Sequence, residues 1–280
     1  MSDPKSVYLE REGVRLHALD HGKAGEPGKP ILLLLHGTAA HARWWDWVAP
    51  ALAGRFRPVA VDVRGHGDSG WAGDYSPGAF TADLDAWIDW ARRESGAPPA
   101  LIGHSMGGMI ALHLHEIRVP EISALVVVDT ALRLRERILE EVRRVGSRPS
   151  RPWASLEEFV AKFRMIPSAG KAGPERIAYL ARHSVRRLED GTWLLKADRN
   201  FHRDRTGFDN RPAWLRVRAP AMYVAGELSD RLTPEDKEWF RRDLPHVRVE
   251  VIPGAHHHVF MDEPEAFLRA VRGFLDRALS

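Results

Sequence analysis

The stretch "LIGHSMGGMIA", residues 101–111, sets Ser105 between Gly103 and Gly107, with a further glycine at 108. One apolar run enters it and another leaves it. A loop that needed only flexibility would not space its glycines around a single serine. A serine on a sharp strand-to-helix corner holds its hydroxyl above the edge of a sheet. The residues two before and two after it must then be small, because neighbouring backbone comes too close for a Cβ. Gly103 and Gly107 hold those two positions. The amide of Met106, opening the next helix, points to where negative charge would develop on an attacked carbonyl.

Outward from this corner, short apolar runs alternate with longer amphipathic ones, the pattern of a mostly parallel twisted sheet flanked by helices. "ILLLLH" (31–36), "PVAVD" (58–62), "PALIGHS" (99–105), "SALVVVD" (123–129), "AMYVAG" (221–226) and "VRVEVI" (247–252) are too short for helices and apolar enough to be buried on both faces. Helices are predicted over 78–94, 106–118, 234–243 and 264–278. "VYLERE" and "VRLHALD", either side of Gly13, read as an antiparallel hairpin at the sheet edge.

The rhythm breaks after Asp129, and the next buried strand begins near 221. A connection that long is an inserted subdomain. The expected organisation is an α/β core of residues 1–129 and 214–280 with a helical cap over 130–213. Within the cap, "LRLRERILEEVRRV", "SLEEFVAKFRMI" and "PERIAYLARHSVRRL" read as three amphipathic helices. Residues 130–219 carry 21 Lys/Arg against 11 Asp/Glu, a formal +10. Such a lid either faces water or attracts an anionic small-molecule substrate.

Composition closes off other classes. With 44% hydrophobic and 28% charged residues, a 280-residue chain buries a sizeable core. There is no cysteine, hence no disulfide or thiolate metal site, which fits a reducing cytoplasmic setting. The start, "MSDPKSVYLEREGVRLHAL", lacks the apolar run of a signal peptide or membrane helix. The net charge is only +3, and no basic stripe is interleaved with aromatics, so neither nucleic acid nor membrane is an expected partner.

The corner at Ser105, on a buried strand and opening a helix, resembles the nucleophile elbow of the α/β-hydrolase fold family. The resemblance runs from about residue 7 to the end of the chain, with the insertion matching in position and size. It implies a serine hydrolase with a catalytic triad in the order Ser, acid, His, needing no cofactor. "VIPGAHHHVFMDEPEAF" (251–267) resembles the family's P-G-x-G-H loop and places the base on His257. His256 stands where the family has glycine, and a shift of one residue would make His256 the base. Adjacent histidines in extended backbone do not converge on one ion, so no metal is expected from the run itself.

For the acid, Asp230 in "AGELSDRLTP" resembles the usual family position, and Asp129, ending "ALVVVD", the rarer one. Asp129 otherwise reads as a cap of the insertion. His36–Gly37 resembles the family's HG motif and makes Thr38, through its amide, the second oxyanion donor beside Met106. "DVRGHGDSG" (62–70) resembles a structural loop, so Arg64, His66 and Asp68 are scaffold. The expected reaction is hydrolysis of an ester, thioester or lactone through an acyl-enzyme. The alternatives on this fold are carbon-carbon bond hydrolysis of aromatic meta-cleavage products, perhydrolysis, cofactor-free oxygenase or lyase chemistry, and small-molecule reception. Serine at 105 argues against the dehalogenases and epoxide hydrolases, which place aspartate there.

Overall fold

The computed structural model describes residues 3–22, 28–133, 139, 140, 144, 150–202 and 207–280. Its centre is an eight-stranded sheet built from β1 (Lys5–Arg11), β2 (Val14–Asp20), β3 (Ile31–Leu35), β4 (Arg57–Asp62), β5 (Ala100–His104), β6 (Ala124–Val128), β9 (Ala221–Gly226) and β10 (Arg248–Ile252). The order is β1-β2-β4-β3-β5-β6-β9-β10. β2 runs antiparallel to β1 and β4, and all other pairs are parallel. β3, β5 and β6 are buried along their whole length, as their unbroken apolar sequences require.

The helices whose full extent lies among the described residues are, in chain order, α1 (Ala49–Leu52), α2 (Pro77–Ser95), α3 (Met106–Ile117), α4 (Leu156–Lys162), α5 (Pro174–His183), α6 (Arg211–Trp214), α7 (Pro234–Asp243), α8 (Val259–Asp262) and α9 (Pro264–Ala278). Local chemistry sets their ends. Ser76 Oγ accepts from the Ala79 amide with Pro77 in the first turn of α2, and Gly96 ends that helix with φ of 73°. Thr233 and Asp236 form a reciprocal capping box at the start of α7. Phe267, Leu268, Val271, Phe274 and Leu275 give α9 the buried stripe that packs it on the sheet.

From β3 the chain moves to β4 on one side and then to β5 on the other. The carboxyl ends of β3 and β5 therefore flank a switch point, where open α/β sheets form their clefts. The loop carrying Gly37 and the corner carrying Ser105 both lie there.

Between β6 and β9, α4 and α5 fall within the second and third predicted cap helices. The first predicted one, 132–145, lies mostly outside the described residues. The third prediction ran too long. α5 stops at His183, and Val185–Arg187 (β7) pairs antiparallel with Trp193–Leu195 (β8). The turn is built by Asp190, whose carboxylate accepts from the Thr192 amide, and by Gly191 at φ 85°. The hairpin region docks on residues 68–75: Lys196 Nζ lies 2.6 Å from Asp68, the Trp71 indole donates to the Lys196 carbonyl, and the Tyr75 hydroxyl donates to Asp198. In the 62–70 loop Arg64 makes a buried bidentate pair with Asp83.

Candidate active site

Ser105 sits at φ 51°, ψ −112°, a conformation that a residue with a Cβ adopts only under constraint. The constraint is visible. Its amide donates to the Val128 carbonyl at 2.9 Å, and its carbonyl accepts from the Met109 amide at 3.0 Å and the Thr130 hydroxyl at 2.9 Å. A Cβ on Gly103 would lie 2.6 Å from the Gly108 nitrogen, and one on Gly107 would lie 2.5 Å from the Leu35 carbonyl oxygen. One on Gly108 would lie 2.2 Å from Thr130 Oγ1. All three glycines of the motif are needed for strand and helix to meet this closely.

The loop after β3 presses on the same corner. A Cβ on Gly37 would meet His104 Nδ1 at 2.8 Å and Ser105 Cβ at 3.3 Å. This brings Thr38, half-buried, beside the elbow, while Met106 is buried as the first residue of α3. His36 braces the loop from behind: its Nε2 accepts from the Val63 amide at 3.1 Å.

His257 reaches the site from the loop between β10 and α8. Its carbonyl accepts from His104 Nε2 at 3.0 Å, which ties the loop to the residue preceding Ser105. Its Nδ1 lies 2.7 Å from Asp129 Oδ2. His256 points elsewhere: its amide donates to Asp262 at 2.8 Å, and its ring lies 3.4 Å from the same carboxylate. The positive-φ residue of this loop is Gly254, so the histidine at the family's glycine position carries no left-handed strain.

The carboxylate facing His257 is thus Asp129, and the expectation for Asp230 is corrected on geometric grounds. Asp129 follows β6 at φ 46° and is fully buried. Its two oxygens accept from the Gly226 amide at 3.1 Å, the Ser229 hydroxyl at 2.5 Å and His257. Asp230 has a side chain 55% exposed and 3.6 Å from Arg231. The loop after β9 turns so that the Ser229 hydroxyl, rather than the next residue's carboxylate, reaches inward. Burial pushes the Asp129 carboxyl up and the His257 imidazole well below the usual histidine range. The shared proton belongs on Nδ1, because both Asp129 oxygens already accept from other donors.

A second serine–histidine contact has a different character. His41 Nε2 lies 3.1 Å from Ser184 Oγ and 3.2 Å from the Leu180 carbonyl, and the Ser184 hydroxyl itself donates to that carbonyl at 2.8 Å. It fastens α5 of the insertion to the loop after β3. Trp44, Trp45 and Trp47 serve packing: Trp45 stacks on Phe260 at 4.3 Å, Trp44 packs on His258, and Trp47 on Tyr179. The sequence reading did not single out His104 and Ser229. Their signals were slight: a polar residue on a buried strand, and a serine before the presumed acid.

With sheet order, elbow and buried His–Asp pair in place, the chain belongs to the alpha/beta hydrolase family, whose profile matches residues 32–270. It is a hydrolase of that family. Esterase Rv0045c of Mycobacterium tuberculosis is 30% identical over 261 residues, 88% of this chain and 83% of that protein. N-formylmaleamate deformylase of Pseudomonas putida is 28% identical, over 97% of this chain and 96% of that one. The crystal structure of E-2-(acetamidomethylene)succinate hydrolase superposes with a TM-score of 0.84 at 22% identity, over 98% of this chain and 99% of that one, a likeness of fold. Among the described residues no helix is long and apolar enough to cross a membrane.

Proposed function

We propose that this hydrolase cleaves carboxylic esters and related acyl compounds through Ser105, His257 and Asp129. His257 Nε2 takes the Ser105 proton as the hydroxyl oxygen attacks the acyl carbon. The amides of Thr38 and Met106 hold the oxyanion. The imidazolium, steadied by Asp129, then gives its proton to the departing alkoxide, and water resolves the acyl-enzyme by the same path. The observation that supports this reading best is the 2.7 Å contact of His257 with a buried carboxylate, made beside a serine on a constrained corner. Residues 1–129 and 214–280 act as the core, with 130–213 as the cap that shapes the pocket. The absence of cysteine favours a cytoplasmic setting.

A carboxylate-bearing substrate is the second reading. Two relatives are named for a maleamate and a succinate, and the insertion is rich in cations. The deciding experiment is labelling by a fluorophosphonate with the modified residue mapped, followed by turnover of p-nitrophenyl esters of rising chain length beside carboxylate-bearing esters and amides. Label on Ser105 and ester turnover are expected. Label elsewhere, with no turnover, would overturn the assignment.

A further inference from the structure

Ser6 on β1, His17 on β2 and Asp62 at the end of β4 lie on three neighbouring strands at one edge of the sheet, and β5, which leads into the elbow, is two strands beyond β4. The register brings them to one face. Tyr8 pairs with His17 and His17 with Asp62, and Ser6 lies two residues before Tyr8 on the same side of β1. His17 Nδ1 lies 2.6 Å from Asp62 Oδ2, and His17 Nε2 lies 3.0 Å from Ser6 Oγ. His17 and Asp62 are buried, while Ser6 is exposed.

The carboxylate fixes the direction of each hydrogen bond. Asp62 Oδ1 accepts from the Ala42 amide at 2.6 Å, and Oδ2 accepts from the Asp68 amide at 2.9 Å. The 62–70 loop wraps this group so closely that a Cβ on Gly67 would meet Oδ1 at 2.0 Å. Against the burial that raises it, the bond from His17 holds the Asp62 carboxyl well below the usual carboxylate range. An ionised carboxylate only accepts, so His17 Nδ1 carries the ring proton and Nε2 keeps its lone pair. The Ser6 hydroxyl therefore donates to Nε2. The imidazole is held in place for this: the His17 amide donates to Ser69 Oγ at 2.8 Å, and the Tyr8 ring packs on the His17 ring at 5.0 Å. A hydroxyl bonded to an imidazole whose other nitrogen is fixed by a buried carboxylate is the arrangement that makes a serine nucleophilic.

We propose that Ser6 is a second nucleophilic site, which takes the acyl group of a small activated ester once and keeps it. Ser6 Oγ attacks the acyl carbon while its proton passes to His17 Nε2. The bond from the acyl carbon to the leaving oxygen then breaks, and that oxygen takes the proton from the imidazolium, giving an O-acylserine and the free alcohol. An exposed serine on an edge strand admits compact, reactive donors and offers a long acyl chain no advantage. An open strand surface also holds no water in line with the acyl carbon, so release is slow. Ser105 takes no part in this step, and the site does not rest on the function assigned to Ser105 above.

The test treats the full-length Ser105→Ala protein with p-nitrophenyl acetate and maps the acetyl group by peptide mass spectrometry over time. Ser6 should be acetylated at least about tenfold faster than any other serine, and the group should persist after the reagent is removed. His17→Gln, added to Ser105→Ala, should slow acetylation of Ser6 by about tenfold or more. Should that variant fail to fold by circular dichroism, the pH profile of the Ser105→Ala protein decides. Acylation assisted by a histidine levels off once the imidazole is neutral, whereas an unassisted hydroxyl keeps gaining about tenfold per pH unit. Ser6→Ala in the otherwise intact enzyme should leave steady-state ester turnover unchanged, and a loss there would overturn the single-acylation role. Acetylation spread over the serines with no excess at Ser6, a rate unchanged in His17→Gln, or a profile without a plateau would overturn the proposal. An intact enzyme that turns over no ester would tell against Ser105 and leave the result at Ser6 as it stands.

Discussion

Ser105 and Asp129 are both held at positive φ, each at the end of a strand and each with its amide donating to a carbonyl of the neighbouring strand, Ser105 to Val128 and Asp129 to Val224. Strain of that kind, of order 1–3 kcal/mol per residue, persists where surrounding structure over-determines the backbone. Ser105→Ala should leave the fold intact and lower kcat by roughly four to six orders of magnitude. Activity within tenfold of the parent enzyme would sink the serine mechanism. Asp129→Asn should cost on the order of 10⁴-fold in kcat, because an amide stabilises the wrong tautomer of His257. Asp230→Asn, altering an exposed side chain, should change kcat by less than about threefold. Steady-state kinetics of the two asparagine variants, side by side, separates the two carboxylates. Ser105 was legible in the sequence because its requirements are local, glycines two residues to either side. The carboxylate that faces His257 was not, because the choice depends on how residues 227–231 fold back after β9. The usable clue was an aspartate closing a wholly apolar strand, where a carboxylate must be buried and so must find donors.

At the scale of elements, the sheet and its flanking helices were legible from the alternation of buried runs and amphipathic stretches. Each strand named from the sequence is present within a residue or two of its expected ends. The insertion was harder. "SVRRL" continues the amphipathic pattern of α5, but Asp190–Gly191 closes a tight turn, and cross-strand pairing with Trp193–Leu195 outweighs helix propensity there. The elbow offers an element-level test. Gly107→Ala places a methyl against the Leu35 backbone, which cannot yield without separating α3 from β3. A loss of about 2–4 kcal/mol in urea unfolding is expected, as for overpacking against rigid backbone. Gly54→Ala, at an open position with nothing near the added methyl, is the control and should stay within about 0.5–1 kcal/mol. Equal stability of the two variants would contradict the close strand–helix contact.

Over the whole molecule, buried neutral histidines set the response to acid. Burial pushes His36 and His41 down to about 4, so between that pH and the ordinary value near 6.5 the unfolded chain binds protons that the folded chain refuses. Stability is therefore full above pH 6.5 and lost as pH falls toward 4; at pH 5 each of the two contributes about 2 kcal/mol of that loss. The urea midpoint should drop between pH 7 and pH 5, whereas a constant midpoint would contradict the buried neutral state.

Net charge gives the other molecule-wide test, because the cations of the insertion matter to a substrate only when they are not already paired. Several are engaged within the fold: Arg211 Nε lies 2.9 Å from Asp209, Lys196 Nζ lies 2.6 Å from Asp68, and Arg186 sits over the Trp71 ring. A residual field would still favour an anionic substrate, and added salt would screen it, since the Debye length falls from about 10 Å at 0.1 M to about 3 Å at 1 M. Under the carboxylate reading, kcat/KM for a carboxylate-bearing ester should fall several-fold more steeply with salt than for a neutral ester of equal size. Arg211→Gln combined with Asp209→Asn should leave that difference unchanged, because the two charges already neutralise each other. Parallel salt curves for the two esters would return the cap's charge to surface solvation and leave the neutral ester as the substrate class.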